Sequence, residues 1–443
     1  LSEFTLGKSW NSSRWELETP DATMRTLMGN IPQWFPNQAS SGTESEAIDA
    51  KMFPNVAFGG TPVNAPSVSI NNIQHQNHND TWDITYNLNW IAGRHNIKTG
   101  VYVNLTDKVQ VSGNVWNGAF NFGVNKNNPY DSGNGYANAL LGVINTYSES
   151  AKDIFFDAKY WTTEFFVQDN WRVNSRLTVD YGVRFYHLNP QVGLDKSFSA
   201  FDPATYDPKK APLLYSPGLD AAKKRAAVDP RTGATTYEAL IGKYVPGTGD
   251  YANGMRVGGV DGYRWGLYGV RPISATPRLG FAWDVFGKGR TVIRGGAGIF
   301  LDRSRQLLNS NTANNPPVDY TPTLYYGDLN TFANSSGAIG PTTSAFVFPA
   351  ERVQLPSVAS FSFGLQQQLP SATLLDVSYV GSASSHLLQA RNLNPIPMFS
   401  RFDPKNADPT LAGKPLPDDF LRPYRGLGAL NTNEFAASAN YHS

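Results

Sequence analysis

Six histidines, thirty-six carboxylates and no cysteine define the chemistry open to this 443-residue chain. The lack of cysteine rules out disulfides, thiolate metal sites and thiol catalysis. The histidines are scattered, and no Ser/His/Asp spacing is recognisable, so no enzyme is expected. His75 and His78 share a spacing found in metal sites, but no acidic or thiol cluster accompanies them, and both read as loop residues. Asp202 and Asp207, in FDPATYDP, are the candidates for Ca²⁺ in the long loops, and no other cofactor is expected. Tyr251, Tyr263, Trp265 and Tyr268 offer loop rings suited to stacking on a ligand, sugars included.

The remaining polar groups form a pattern rather than a cluster. Glu164, Gln168, Arg172, Asp180, Arg184, Arg278, Asp284 and Arg294 each alternate with apolar neighbours. The stretch Tyr160 to His187 shows this best. Trp161, Thr163, Phe165, Val167 and Trp171 share one face, broken by Asp169, while Thr162, Glu164, Phe166, Gln168, Asn170 and Arg172 share the other. After a turn at Asn174–Ser175–Arg176, Leu177, Val179, Tyr181, Val183 and Phe185 continue the apolar face. A period of two over this length means strand, because a helix would scatter these positions around its circumference.

These strands are long, on the order of eleven residues, the number that crosses a bilayer at a tilt of about 45°. Trp161 and Trp171 span roughly 33 Å at about 3.3 Å per residue, or roughly 25 Å when tilted, close to the height of a lipid-facing band between two aromatic girdles. Trp82, Trp90 and Trp283 are expected in the same girdles. An Arg on the lipid face would cost about 2–4 kcal/mol at the midplane, so the charged side must turn inward.

Hairpins are expected at 81–106, 158–188, 277–301 and 358–381, with long outer loops at 189–276, 302–356 and 382–432. GYANALLG (135–142) reads as a single helical turn stopped by Gly142. The alternation of short turns with long connections suits strands threaded across a membrane, and closure into a barrel is then required to pair every backbone group. Composition agrees. Charged residues are 16%, low against about 25% for soluble domains, and no run approaches the length of a transmembrane helix. A formal net charge of +1 gives no reason to expect nucleic acid as a partner.

GRHNIKTG (93–100), FFVQDNWRVNSRLTVDYGVRF (165–185), PRLGFAWDVFGKGRTVIRGGAGIF (277–300) and SFGLQQQLPSATLLDVSYVGSASSHLL (362–388) resemble the barrel of TonB-dependent outer-membrane receptors, in particular the Oar-like group with its carboxypeptidase-regulatory-like domain. GYANALLG is similar to that group's helical Ala-Asp-x-Leu-Leu-Gly segment, with Asn138 in place of Asp. The resemblance implies an all-β, transmembrane antiparallel barrel of about 22 strands, of which this chain supplies about 10 to 13. It also implies a bacterial outer-membrane location, contact with outer-membrane lipid, a plug domain lying outside this chain, a TonB partner and an extracellular ligand of unknown identity. The expectation is an internal piece of a longer protein, with residues 1–443 forming part of one barrel domain. Two other readings compete: a plug-less porin or structural barrel, and a soluble extracellular carbohydrate-binding or adhesive β-protein.

Overall fold

The structure, a computed structural model, describes residues 1–14, 31, 33–35, 53–69, 76–111, 115–151, 154–303, 311–332, 338–339 and 353–443. Its main element is one antiparallel sheet in which ten long strands follow chain order. They are β1 (Ser2–Arg14), β2 (Gln76–Ala92), β3 (His95–Val111), β4 (Phe155–Arg172), β5 (Leu177–Leu188), β6 (Ser274–Asp284), β7 (Thr291–Leu301), β8 (Ser357–Gln368), β9 (Leu374–Asn392) and β10 (Asn431–His442). A two-residue strand, Val192–Gly193, also pairs with β4. Among the described residues β1 and β10 each pair on one side only, so the wall is an open part of a barrel.

Register carries the faces from strand to strand. Trp82 pairs with Leu105, and Leu105 with Trp161; farther down, His95 pairs with Trp171, and Trp283 with Leu177. The five tryptophans are between 37% and 61% exposed, and Phe165, Tyr181, Leu279, Phe363 and Val377 on the same face are exposed too. No layer of this chain covers that face among the described residues. In water such a surface would be an aggregation liability; in hydrocarbon it needs no cover.

The apolar face has an upper limit. At the row Trp82–Leu105–Trp161, where Lys8 pairs with Trp82, and just beyond it, the face carries the ion pairs Lys8–Asp80 (3.6 Å) and Lys159–Asp107 (2.9 Å). This accounts for strand length. β2 and β3 run 17 residues, β4 18 and β9 19, beyond the expected hairpin bounds, and the excess lies on the side of the long connections. In particular 382–392, expected as loop, continues β9.

The long connections are folded, although, apart from a strand-like GAFNFGV (118–124) and the helical turn at 135–142, they read from sequence as loops. Short strands from three of them make one five-stranded sheet in the order 338–339, Pro322–Asp328, Val143–Ser148, Ala119–Asn121 and Asn55–Ala57. It encloses Phe120, Phe122, Ile144, Tyr147 and Phe332. Segments of two to seven residues are too short to show a period, and their partners lie far away in sequence. The expected helix is present as α1 (Gly135–Leu141), with Gly142 left-handed at φ 75° donating to Ala139 O. Asn134 caps its start by accepting from the N–H groups of Tyr136 and Ala137.

Candidate functional site

The face opposite the tryptophans is polar and deliberately sparse in side chains. Adjacent register positions place Gln168, Gly182, Arg278, Gly298 and Ser360 in one row. The next row holds Asn170, Asp180, Gly280, Gly296 and Ser362. Gly182 is required by close approach: a Cβ there would sit 2.6 Å from Gln168 Cβ. Gly296 is open instead, its nearest neighbour being Leu279 O at 3.4 Å. The result is a groove of about 330 Å³ lined by Gln168, Asp180, Gly182, Arg184, Arg278 and Gly280. Four of the eight polar residues singled out from sequence meet here.

Their charges are tethered. Arg184 Nη1 donates to Glu164 Oε2 at 2.6 Å, and its guanidinium lies 4.9 Å from the centre of the Phe166 ring. Asn170 Nδ2 donates to Asp180 Oδ1 at 2.5 Å, and Arg278 lies over Phe300 at 4.5 Å. Tyr102 OH and Asn104 Nδ2 both donate to Asp83 Oδ1, at 2.6 and 3.0 Å. Such a surface can hold a polar occupant by hydrogen bonds and ion pairs.

The other sequence candidates lie elsewhere. Arg294 shares the polar face, opposite Ala282 and Gly364, while Arg172 sits exposed at the short-turn end. Asp284 caps a turn: its oxygens accept from Gly287 N at 2.9 Å and Gly289 N at 2.8 Å, so it is spent on the backbone. Tyr251 packs 4.9 Å from Tyr320, Tyr263 lies beneath Arg256 at 4.7 Å, and Trp265 is exposed. Tyr268 corrects the expectation of a ligand-facing ring, being 3% exposed in a core with Ile154, Ala158, Phe198, Leu267 and Phe435. Asp202 and Asp207 accept from Ala204 N and Lys209 N and cap successive 3₁₀ turns. Among the described residues no three His, Asp or Glu side chains converge as a metal site would need. His75 lies outside the described residues; His78 Nε2 is 3.3 Å from Asp80 Oδ2.

Sequence reasoning missed the groups that organise both ends of the wall. At the outer end the core around Tyr268 draws Ala158 of β4, Phe435 of β10, and Val353 and Ala313 from the connection after β7 into one cluster. Arg303, from that connection, stacks on Tyr160 at 4.3 Å and donates to Trp161 O at 2.8 Å and to Thr162 Oγ1. Arg225 holds two connections together, donating to Glu238 Oε1 (2.5 Å), Asp408 Oδ2 (2.7 Å) and Thr410 Oγ1 (2.8 Å). Burial alone would raise the Asp408 carboxyl, but bonds from Thr410 and Arg225 outweigh it and hold it below the ordinary range. At the other end Asp169, noted as a break in the apolar face, accepts from His95 Nδ1 (2.6 Å) and Tyr181 OH (2.9 Å), and His95 stacks on Trp171. That break was the one legible signal.

A membrane-spanning antiparallel wall, apolar outside and polar inside, is the architecture of an outer-membrane barrel. The chain belongs to the outer membrane beta barrel domain family, whose profile matches residues 3–443. No curated protein is detectably similar in sequence. Among solved structures, the outer membrane transporter YddB from Escherichia coli is 9% identical with a TM-score of 0.40, covering 88% of this chain and 33% of its own. The copper transporter OprC is 10% identical with a TM-score of 0.33, covering 83% and 35%. The Serratia marcescens hemophore receptor HasR, in complex with its hemophore HasA and heme, is 10% identical with a TM-score of 0.30, covering 83% and 45%. The chain therefore spans between a third and a half of the length of these structures. Its membership of the outer membrane beta barrel domain family gives its place as the bacterial outer membrane.

Proposed function

We propose that this chain is part of the wall of a TonB-dependent receptor that captures a bulky extracellular ligand. The observation that carries the reading is the packed head at the outer end. There Tyr268, Phe198, Val353 and Phe435 close the long connections over the polar face. A passive pore gains from an open mouth, whereas a receptor needs ordered loops to present a binding surface. In this reading Glu164, Gln168, Arg172, Asp180, Arg184, Arg278 and Arg294 face a plug or the path beside it. Trp82, Trp90, Trp161, Trp171 and Trp283 form the two girdles, and Tyr251, Tyr263 and Trp265 contact ligand. The small floor of Gly280, Gly296 and Gly298 lets a folded plug approach the wall closely. The subgroup with the carboxypeptidase-regulatory-like domain follows from the resemblance alone.

The test is planar-bilayer conductance of the full-length protein. A plugged receptor stays silent in buffer and opens only when a denaturant unfolds its plug. Steady single-channel conductance in buffer alone would instead establish the plug-less porin.

A further inference from the structure

The ladder between β6 and β7 ends early. It runs from Asp284–Val292 to Arg278–Gly298 and stops one residue short of Pro277, which brings no N–H to a ladder. Beyond that point, among the described residues, Ser274–Pro277 pairs with β5 alone and Ile299–Leu301 with β8 alone. The gap closes again farther out. There Val353, ahead of β8, bridges to Val270, and its N–H donates to Gly269 O at 2.9 Å. The edges are fixed as well: His187 Nδ1 lies 2.5 Å from Pro272 O, Asp302 N donates to Pro356 O at 3.0 Å, and Ser357 Oγ is 2.9 Å from Ser385 Oγ. The result is a framed window in the wall, holding a cavity of about 210 Å³.

The lining changes character across the wall. Ala275 shares the face of Leu279, and Ile299 and Leu301 share that of Ile293, which pairs with Trp283; all three therefore belong to the apolar face. Ala275 and Ile299 are exposed there. Ser274 and Thr276 alternate with Ala275 and line the polar side. Two basic side chains stand in the same cavity, Arg271 and His386. His386 takes φ 55° at the register shift between Ser384 and Leu387, a bulge that breaks the alternation of β9. No carboxylate lines the cavity, and neither basic side chain has an ion pair or hydrogen bond among the described residues.

We infer that this window is a lateral site for a fatty acid: a single-chain amphiphile with a carboxylate head, entering from the membrane. The carboxylate meets Arg271 and His386, and the chain leaves past Ala275 and Ile299 into hydrocarbon. A guanidinium recognises a carboxylate through paired N–H groups, which favours this head over an uncharged one. The cavity falls below the roughly 300–1,000 Å³ of pockets that enclose compact ligands, so it suits a small head on one chain. The inference needs the membrane orientation of the wall and holds with or without a plug.

Photolabelling of the full-length protein in phosphatidylcholine vesicles tests it, with hexadecanoic acid carrying a diazirine near its carboxyl end and the labelled peptides mapped by mass spectrometry. Labels should concentrate on 271–277, 299–301 and 353–357. Hexadecanol with the same diazirine should label them about fivefold less. Arg271→Gln should abolish that difference, and Ala275→Phe, still apolar on an apolar face, should block both probes. Unlabelled hexadecanoic acid should compete, whereas phosphatidylglycerol should not. If Ala275→Phe does not assemble, Arg271→Gln decides alone, since that side chain holds nothing together among the described residues. Labels spread evenly over the apolar face as far as Leu279 and Phe363 overturn the inference in favour of general lipid contact. So does equal labelling by acid and alcohol, an Arg271→Gln variant that keeps the difference, or competition by phosphatidylglycerol, which would assign the window to a two-chain phospholipid.

Discussion

Val101 lies midway along β3 between Leu105 and Ile97, the residues level with Trp82 and Trp90. It pairs with Tyr86 on one side and Phe165 on the other, and is 39% exposed on the apolar face. If that face meets hydrocarbon, Val101→Arg places a charge near the midplane at a cost of about 2–4 kcal/mol. At about 1.4 kcal/mol per decade this is a thirty- to several-hundredfold loss in the folding equilibrium. Val179 shares the face but pairs directly with Trp171, at girdle depth. Val179→Arg should cost only about 0–1 kcal/mol, since the guanidinium reaches water there. Thr85 occupies the polar face one residue from Tyr86, and Thr85→Arg should be tolerated within about 0.5 kcal/mol. Urea titration of the three variants in lipid vesicles, followed by tryptophan fluorescence, measures the series. A buried protein interior would penalise Val101 and Val179 alike. Equal losses at those two positions, or harm from Thr85→Arg as large as from Val101→Arg, would refute the assignment of faces.

Three further outcomes follow from contacts in the connections and the wall. Asp408→Ala leaves Arg225 with Glu238 as its remaining carboxylate partner and should cost about 2 kcal/mol locally, read as faster hydrogen exchange across 404–421. Because the Asp408 carboxyl is held below its ordinary 3.8, the stability it lends is fully present above that value and lost as pH falls through the lower folded value; exchange corrected for intrinsic rate should rise in the wild type in that window, and the variant should lack the change. Gly182→Ala drives a methyl to 2.6 Å from Gln168 Cβ and should destabilise the wall by about 1–3 kcal/mol, whereas Gly296→Ala, with 3.4 Å to its nearest neighbour, should cost under about 1 kcal/mol in the same urea titration. Asn138 Nδ2 donates to Phe122 O (3.0 Å) and Asp131 Oδ1 (2.7 Å), so Asn138→Asp leaves both acceptors facing a carboxylate; a loss of about 2 kcal/mol, seen as faster exchange in α1, is expected.

The wall was legible because its rule is local. In β4 and β5 a lipid-facing residue alternates with a polar one, so Phe165, Val183 and Arg184 declare their faces from nearest neighbours alone. The short turns were legible for the same reason, and α1 could be read from its terminal glycine. The polar groove was half legible. Alternation put Gln168, Asp180, Arg184 and Arg278 on one side, but only pairing across three strands brought them around Gly182 and Gly280. Asp284 shows the limit, since alternation placed it with the others while the tight turn beside it claimed both its oxygens.

By itself, then, the sequence determined an antiparallel wall with one face for lipid and one for polar contents, since period and strand length are properties of short windows. Tertiary structure decided everything at the two rims. Tyr268 reads from sequence as a loop ring free to meet a ligand, and it becomes core because Phe198, Val353 and Phe435, from distant segments, surround it. Arg94, Arg176 and Arg290 lie far apart in sequence, and they stand side by side because hydrogen bonds between neighbouring hairpins align their turns. Contacts of that kind join residues tens to hundreds of positions apart, and no local pattern encodes which of them will meet.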